Sequence, residues 1–309
     1  MKKLTTLASA LTIAAAAHSG AANAALSVYN GEPNQFDDES AEQWIDRDED
    51  GYLSEGDTLR GILQIDFIEG LISGNRTEYG GPSAPSELTA LYEVEVATVT
   101  SNGVPVDPST VLRADYTFDA YVPFASEVAG ITGEAAGDLN GLMVAFWEEA
   151  TGAGIAFDLD GAGLTIAQAE ASATGGEFVL GLGIGEMVDF WSATNAVTDP
   201  DLASGLPLNT SLGTFDFGLS AIFNNTTAAE FGPTAKFNPL TQAVVQVDFA
   251  GNGDIFASGL DFPGSGTQGP YAIWDNVQGT FNPIPEPTSL ALMGIGLLGL
   301  GAAKLRRKA

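Results

Sequence analysis

The stretch Leu63-Gln64-Ile65-Asp66-Phe67 alternates apolar and polar side chains. Successive side chains of a strand point to opposite faces, so this alternation predicts a β-strand with one buried and one solvent-facing side. The same alternation recurs in segments separated by glycine, proline and asparagine, at residues 92–96, 116–118, 178–182, 215–219, 245–249 and 273–277. Many short, half-buried strands predict a mainly β fold, either an antiparallel β-sandwich or a barrel-like sheet.

Helical patterns are few and short. Residues 166–173 are rich in alanine, and residues 144–150 combine apolar and acidic side chains, so one or two short helices are expected. No repeat of fixed length is visible, which argues against a solenoid or a propeller. The spacing of the strands shows no evident break between residues 25 and 281, and a single domain is therefore favoured over two.

The N-terminus has the three parts of a secretory signal peptide. Lys2 and Lys3 precede an apolar run at residues 4–17, and the small-residue stretch Ala22-Asn23-Ala24 follows it. Signal peptidase needs small side chains at such a site, so cleavage is predicted between Ala24 and Ala25. Residues 1–24 are thus a predicted signal peptide, with signal peptidase as the first partner of the chain.

The C-terminus combines a proline motif, an apolar run and a basic cluster. Pro285, Glu286 and Pro287 precede the nearly wholly apolar residues 289–303, and basic residues follow. The apolar run is shorter than the ~20 residues of a comfortable membrane span, but flanking lysine and arginine can snorkel and the bilayer can thin. It predicts a C-terminal transmembrane helix with the basic cluster held inside, which leaves the preceding chain outside the membrane.

This tail resembles the PEP-CTERM sorting signal, which joins a Pro-Glu-Pro tripeptide, a short helix rich in glycine and leucine, and a basic terminus. The resemblance implies processing by an exosortase-type membrane protease near the tripeptide, in a Gram-negative bacterium that makes exopolysaccharide. It implies an inner-membrane intermediate, and then a place at the cell surface or in the extracellular matrix. Residues 282–309 are accordingly interpreted as stalk, helix and basic tail, and residues 25–281 as the exported β-rich domain.

The exported part is strongly acidic. The chain has 40 acidic and 11 basic residues and a formal net charge of −29. The basic residues outside the two ends are Arg47, Arg60, Arg76, Arg113 and Lys236. Such a charge repels nucleic acid, so no nucleic-acid partner is expected. Two explanations of this charge are equally good: an acidic surface suited to salty water, or a specific role in binding cations.

Histidine and cysteine are missing from the predicted exported part. The chain has no cysteine, and its one histidine, His18, lies in the predicted signal peptide. This excludes Ser-His-Asp and Cys-His catalysis, zinc sites built from His or Cys, c-type haem and iron–sulfur clusters. A non-enzymatic protein is therefore expected.

A carbohydrate-active protein remains the alternative, because a glycosidase needs only two carboxylates beside a sugar ring. The candidate acids are Glu148, Glu149, Glu177 and Glu186, and the aromatic residues that could stack on sugars are Trp147, Trp191 and Trp274. Sequence spacing does not reveal a catalytic pair among so many acids. A lectin-like carbohydrate-binding module is the other form of this alternative.

The strongest internal motif is Asp46-Arg47-Asp48-Glu49-Asp50-Gly51-Tyr52-Leu53-Ser54-Glu55-Gly56-Asp57. Carboxylates at positions 1, 3, 5 and 12 with glycine at position 6 fit a calcium loop of EF-hand type, because Ca²⁺ binds six to eight hard oxygens. The predicted ligands are Asp46, Asp48, Asp50, the carbonyl of Tyr52, Ser54 and Asp57. Asp57 replaces the bidentate glutamate of a sensor loop, which weakens the site, but calcium outside the cell is millimolar.

Residues 59–67 after this loop alternate like a strand, so the loop is expected to join two strands. It resembles the D-x-D-x-D-G-x-L-S-x-G-D segments of bacterial surface β-domains, which implies that calcium has a structural role in place of a disulfide. An acidic turn without metal is the alternative. The predicted function is that of an exported envelope or matrix protein, with its association with exopolysaccharide, biofilm or floc implied by the tail alone.

Overall fold

The computed structural model describes residues 26, 28–79, 84–150, 165–199, 210–257, 271 and 273–285. The predicted signal peptide, the predicted cleavage site at Ala24 and Ala25, the motif residues Glu286 and Pro287, and the C-terminal apolar run lie outside this part of the chain. Among the residues it describes, no helix is long and apolar enough to cross a membrane.

Strands dominate the described residues. They are β1 (Asn34–Ile45), β2 (Thr58–Gly70), β3 (Arg76–Glu78), β4 (Ser86–Ser101), β5 (Val104–Pro105), β6 (Arg113–Ala120), β7 (Leu142–Ala150), β8 (Glu177–Gly183), β9 (Phe190–Val197), β10 (Ser211–Asn224), β11 (Glu230–Gly232), β12 (Thr234–Asn238), β13 (Ala243–Val247), β14 (Phe249–Ala257) and β15 (Ile273–Ile284). The α-helices are α1 (Val122–Thr132) and α2 (Ile166–Ala173), with 3-10 turns at Pro108–Thr110 and Ala136–Leu139.

Every strand pair in this part of the chain is antiparallel, which confirms the predicted mainly β, antiparallel fold. The main sheet runs β3-β2-β1-β15-β14-β10-β8-β7-β4-β6-β9, while β12 and β13 form a separate hairpin. β2 also pairs with β4, and β10 with β9. The β2–β4 pairing therefore closes the strands β2-β1-β15-β14-β10-β8-β7-β4 into a ring of hydrogen-bonded neighbours.

The long strand β4 shows how the path branches. Residues 86–92 of β4 pair with β7 and residues 94–100 pair with β6, while β2 lies along the opposite edge of β4. β10 is similarly shared, since it pairs with β14, β9 and β8. Two routes, through β7 and β8 or through β6 and β9, thus connect the same two long strands.

The sheet has apolar packing on both faces. The larger cluster joins residues from most of the strands, including Phe36, Tyr92, Phe146, Phe217 and Leu219. The smaller cluster packs α1, α2 and the Ala136–Leu139 turn against outward side chains of the sheet, among them Ile62, Leu91 and Trp147. One side of the sheet therefore forms the main core, and the helices cover part of the other side.

The helix predictions had mixed outcomes. Ile166–Ala173 is helix α2, and Thr165 and Gln168 cap it through reciprocal side-chain and backbone hydrogen bonds. The expectation of a helix at residues 144–150 is wrong, because this run belongs to strand β7. Both faces of β7 are buried, since Phe146 lies in the main core and Trp147 in the cluster beneath the helices. Burial on both sides removes the polar–apolar alternation that marks a strand.

Several strand glycines make room for aromatic rings. A Cβ atom on Gly279 would lie 2.1 Å from Cζ of Phe36, and one on Gly251 would lie 2.4 Å from Cζ of Phe217. Real Cβ atoms do not come so close to other carbons, so a side chain at either position would displace the ring. The glycines in β14 and β15 thus leave space for aromatic rings of the main core, a role different from that of glycines in turns.

Gly279→Ala is expected to destabilise the fold by about 1–3 kcal/mol, because the Phe36 ring must move in a close-packed core. Urea unfolding followed by tryptophan fluorescence measures this change. Gly130→Ala in α1 is the matched control, since no heavy atom lies within 4 Å of its added Cβ. That control should stabilise the protein by about 0.5–1 kcal/mol. Parental stability in Gly279→Ala would contradict the packing argument.

Candidate functional site

The acidic loop at residues 46–57 joins β1 to β2, as the sequence predicted. Leu53 is buried, and its backbone N–H donates to the carbonyl of Thr198 at 2.8 Å. The N–H of Gly56 donates to the carbonyl of Val96 at 2.9 Å. Backbone hydrogen bonds therefore attach the loop to β4 and to the residue that follows β9, in addition to its covalent connections to β1 and β2.

Three predicted ligands come together in this loop. Carboxylate oxygens of Asp46, Asp48 and Asp50 lie within 4.8 Å of one another, and Asp48 and Asp50 are exposed. Gly51 has a φ of 82°, in the left-handed region that glycine adopts without strain. This turn directs the N–H of Gly51 to Oδ2 of Asp46 at 2.8 Å, while the N–H of Glu49 reaches Oδ1 at 2.6 Å. These carboxylates are the residues in the loop best placed to hold a cation.

Hydrogen bonds control the charge of Asp46. Burial acts to raise the pKa of Asp46, but the N–H groups of Gly51 and Glu49 outweigh it and hold the pKa below its ordinary value. These donors favour the ionised form because they stabilise negative charge on the oxygens. Asp46 thus remains a carboxylate in mildly acidic solution, as a calcium ligand must.

The other predicted ligand residues, Tyr52, Ser54 and Asp57, form hydrogen bonds within the loop. Asp57 is 1% exposed, and its two oxygens accept the N–H groups of Arg47 and Ser54, each at 2.7 Å. The Ser54 hydroxyl lies 3.3 Å from Oδ2 of Asp48, and the N–H of Tyr52 donates to Asp50 at 2.7 Å. Asp57 therefore closes the base of the loop. That Tyr52, Ser54 and Asp57 coordinate calcium stays a prediction.

Arg60 forms an ionic cluster that the sequence did not reveal. Its guanidinium contacts Glu93 on β4 at 2.6 Å, Glu127 on α1 at 2.7 Å and Glu170 on α2 at 2.6 Å. Arg47 contacts the same Glu93 at 3.0 Å. One basic side chain on β2 therefore attaches both helices to the sheet, which suits a structural role.

Carboxyl groups inside the sheet were also missed. Asp38, Glu42 and Asp275 are 3%, 4% and 5% exposed. The hydroxyl of Ser40 donates to Oδ1 of Asp275, and the hydroxyl of Tyr92 donates to Oε2 of Glu42 at 2.6 Å. The strand that carries most of them, β1, is so rich in acids that its sequence does not look like a core strand. The buried side chains at positions 36, 38, 40 and 42 alternate along the strand, and this spacing is the signal that could have identified its inward face.

Burial raises the pKa of each of these carboxyls, because the charged form loses its water. The pKa of Glu42 rises to about 8, through burial first and then through the charge of Asp275. Burial also raises the pKa of Asp275 to about 7, and the pKa of Asp38 lies well above its ordinary value.

The tryptophans considered as sugar platforms contact other aromatic rings. Ring centroids lie 5.5 Å apart for Trp147 and Phe178, 5.6 Å for Trp191 and Phe217, and 4.7 Å for Trp274 and Phe256. Glu148, a candidate acid, accepts the hydroxyl of Ser86 at 2.8 Å. Trp147 belongs to the smaller apolar cluster, and Trp191 packs against the larger one, so packing explains both side chains.

Comparison with known proteins identifies the tail. The family model of the PEP-CTERM protein-sorting motif matches residues 283–308, which confirms the resemblance seen in the sequence. This motif implies exosortase-dependent sorting to the envelope of a Gram-negative bacterium. The rest of the chain has no family match. No curated protein and no solved structure matches the chain.

The interior carboxyls predict a fold that weakens as the pH rises. The folded pKa of Glu42, about 8, exceeds the value of ~4.3 for an unfolded chain, so the folded state binds the proton more tightly. The stability due to Glu42 is full below pH ~4 and is lost as the pH rises through about 8. The melting temperature in EDTA should therefore fall between about pH 5.5 and about pH 8.5, where ordinary carboxyls are already ionised.

Two variants isolate this effect. Glu42→Gln should make the fall in melting temperature smaller, because the amide carries no charge at any of these pH values, while Asp275 still ionises in this range. Glu39→Gln is the matched control, since Glu39 is exposed on the same strand, and it should retain the parental slope. A parental melting temperature that does not change over this range would contradict the assignment.

Proposed function

We propose that this chain, which carries a PEP-CTERM sorting motif, is a non-enzymatic protein of the bacterial envelope or extracellular matrix. Its β-rich domain is exported by the signal peptide at residues 1–24 and then sorted through the tail by an exosortase-type protease. The observation that carries the proposal is the motif match at residues 283–308, which begins in the last two residues of the last strand, β15, and continues into the tail. The predicted signal peptide at the other end supports export independently.

The junction between domain and tail suits this processing. β15 ends at Ile284, and the next residue, Pro285, is exposed. The carbonyls of Pro283 and Ile284 accept N–H groups from Gly31 and Ala229, each at 3.0 Å. The sheet is therefore complete up to the tripeptide, and cleavage near it removes no strand. The closed path of strand pairings supports a barrel-like scaffold for the exported domain.

Calcium is the proposed structural ligand of the loop at residues 46–57. The three gathered carboxylates support this proposal, as does the attachment of the loop to β4. A bound ion would offset the repulsion among Asp46, Asp48 and Asp50 and would hold the connection between β1 and β2 closed.

Exopolysaccharide is the proposed partner in the matrix. The acidic residues outnumber the basic residues by 40 to 11, and such a protein is repelled by an anionic polysaccharide unless cations intervene. Divalent calcium can bridge a protein carboxylate and a polysaccharide carboxylate. Matrix association is therefore proposed to depend on calcium.

Sorting is tested with the whole chain expressed in a bacterium that has an exosortase. Replacing Pro285, Glu286 and Pro287 with alanine should leave an unprocessed precursor in the inner membrane, detected by immunoblotting of fractionated cells. The parent should appear as a shorter form in the surface or matrix fraction, and EDTA should release it. Alanine replacement of Thr288 and Ser289, beside the tripeptide, is the control and should permit processing.

Two outcomes would overturn parts of this proposal. Normal processing of the tripeptide variant would remove the exosortase-type step. Retention of the parent in the matrix despite EDTA and high salt would remove calcium bridging, but it would leave the sorting step intact.

Calcium in the loop is tested by a thermal melt of the full chain in mild detergent. At calcium ~100-fold above its Kd, binding adds about 2.7 kcal/mol to stability, so the melting temperature should rise by several degrees. Asp48→Ala with Asp50→Ala should lose the part of this rise that is due to the loop. Glu55→Gln, in the same loop but at no predicted ligand position, should keep it. An undiminished rise in the double variant would reduce the loop to an acidic turn.

A further inference from the structure

We propose that the interior of the sheet contains a separate calcium site, formed by the carboxylates of Asp38 and Asp275 and the hydroxyl of Ser40. This inference does not depend on the acidic loop or on the sorting tail. It rests on three features of the main core: the register of two strands, a cavity with an oxygen that has no partner, and the distribution of basic side chains.

The register of β1 and β15 brings the three side chains to one face. Ser40 lies directly opposite Asp275, and Asp38 lies opposite Val277, two residues further along β15. Asp38 and Asp275 are therefore diagonal neighbours, a relation in which Cα atoms are about 7–8 Å apart and side chains on one face can meet. The charge of Asp275 acts on Asp38, which agrees with their proximity. Two aspartates in this relation can approach one ion from two sides.

A cavity lies beside these groups. It has a volume of about 40 Å³ and is lined by Asp38, Ser40, Tyr92 and Asp275 together with apolar side chains. One water requires roughly 10–15 Å³, so the cavity has room for an ion and a water or two. Asp38 is only 3% exposed, yet its Oδ1 has no hydrogen-bond partner among the described residues. A buried carboxylate oxygen without a partner is costly and calls for a ligand.

No basic side chain of the domain neutralises these carboxylates. Arg47 and Arg60 contact Glu93, Arg76 contacts Glu78, and Lys236 contacts Asp216. Arg113 donates to backbone carbonyls of the segment around residues 195–212. The remaining basic residues of the chain lie in its two ends, outside the described residues. A divalent cation would balance both aspartates.

The chemistry of the cavity favours calcium among divalent cations. All the available ligands are oxygens, which suits Ca²⁺ or Mg²⁺ better than zinc. Mg²⁺ demands near-octahedral geometry and retains several waters, whereas Ca²⁺ accepts flexible geometry and bidentate carboxylates. The two aspartates, the Ser40 hydroxyl and one or two waters can provide about six oxygens, the lower limit for Ca²⁺.

The test uses the full chain in mild detergent with Asp48→Ala and Asp50→Ala, so that the acidic loop no longer contributes. At pH 7.5 and at calcium about 100-fold above Kd, the melting temperature should rise by about 5 °C or more, because only the folded state holds the site. Atomic emission after gel filtration should find about one calcium per chain. Matched additions of MgCl₂ and NaCl control for ionic strength.

Variants on one strand assign the ion to the interior. Asp38→Asn, added to the loop double variant, keeps the shape of the side chain and should abolish both the rise and the bound calcium. Asp37→Asn, at the neighbouring half-buried position, should keep both. A loop double variant that binds no calcium would overturn the interior site and leave the loop proposal standing. A rise that persists in Asp38→Asn would also overturn it.

Discussion

The scarcity of positive charge constrains every part of this structure. With 40 acidic and 11 basic residues, most of the negative charge must be solvated, protonated or balanced from outside. The few basic side chains are used where several elements meet, as with Arg60 between β2, β4, α1 and α2. The remaining acids lie in water, in the acidic loop or inside the sheet, and the last two groups define the candidate sites.

Most strands could be predicted because their alternation reflects one buried and one wet face. The segments at residues 63–67 and 215–219 show this clearly, and both lie in strands of the main sheet. The acidic loop could be predicted for a similar reason, since its carboxylates follow a local spacing within one segment. Helix α2 was found because a run of small helix-forming residues needs no distant partner.

The elements that sequence reasoning missed depend on distant contacts. β7 did not alternate because the main core lies on one face and the helices on the other. β1 looked like a solvated segment because Asp38 and Glu42 occupy its inward positions, and only the register with β15 shows that they are inside. α1 begins after Tyr121 and ends before Gly133, but most of its support comes from burial of Phe124 and Val128 against the sheet. Such information is not local to any segment.

The position of β15 has a mechanical consequence. This strand leads directly into the tail, and residues 273–281 pair with β1 on one side and with β14 on the other. While the tail is held in the membrane, a pull on the domain acts along the axis of β15, so the hydrogen bonds on both edges bear the load together in shear. A strand at the edge of a sheet would instead be peeled away one bond at a time. The attachment point of this domain is therefore also one of its most force-resistant elements.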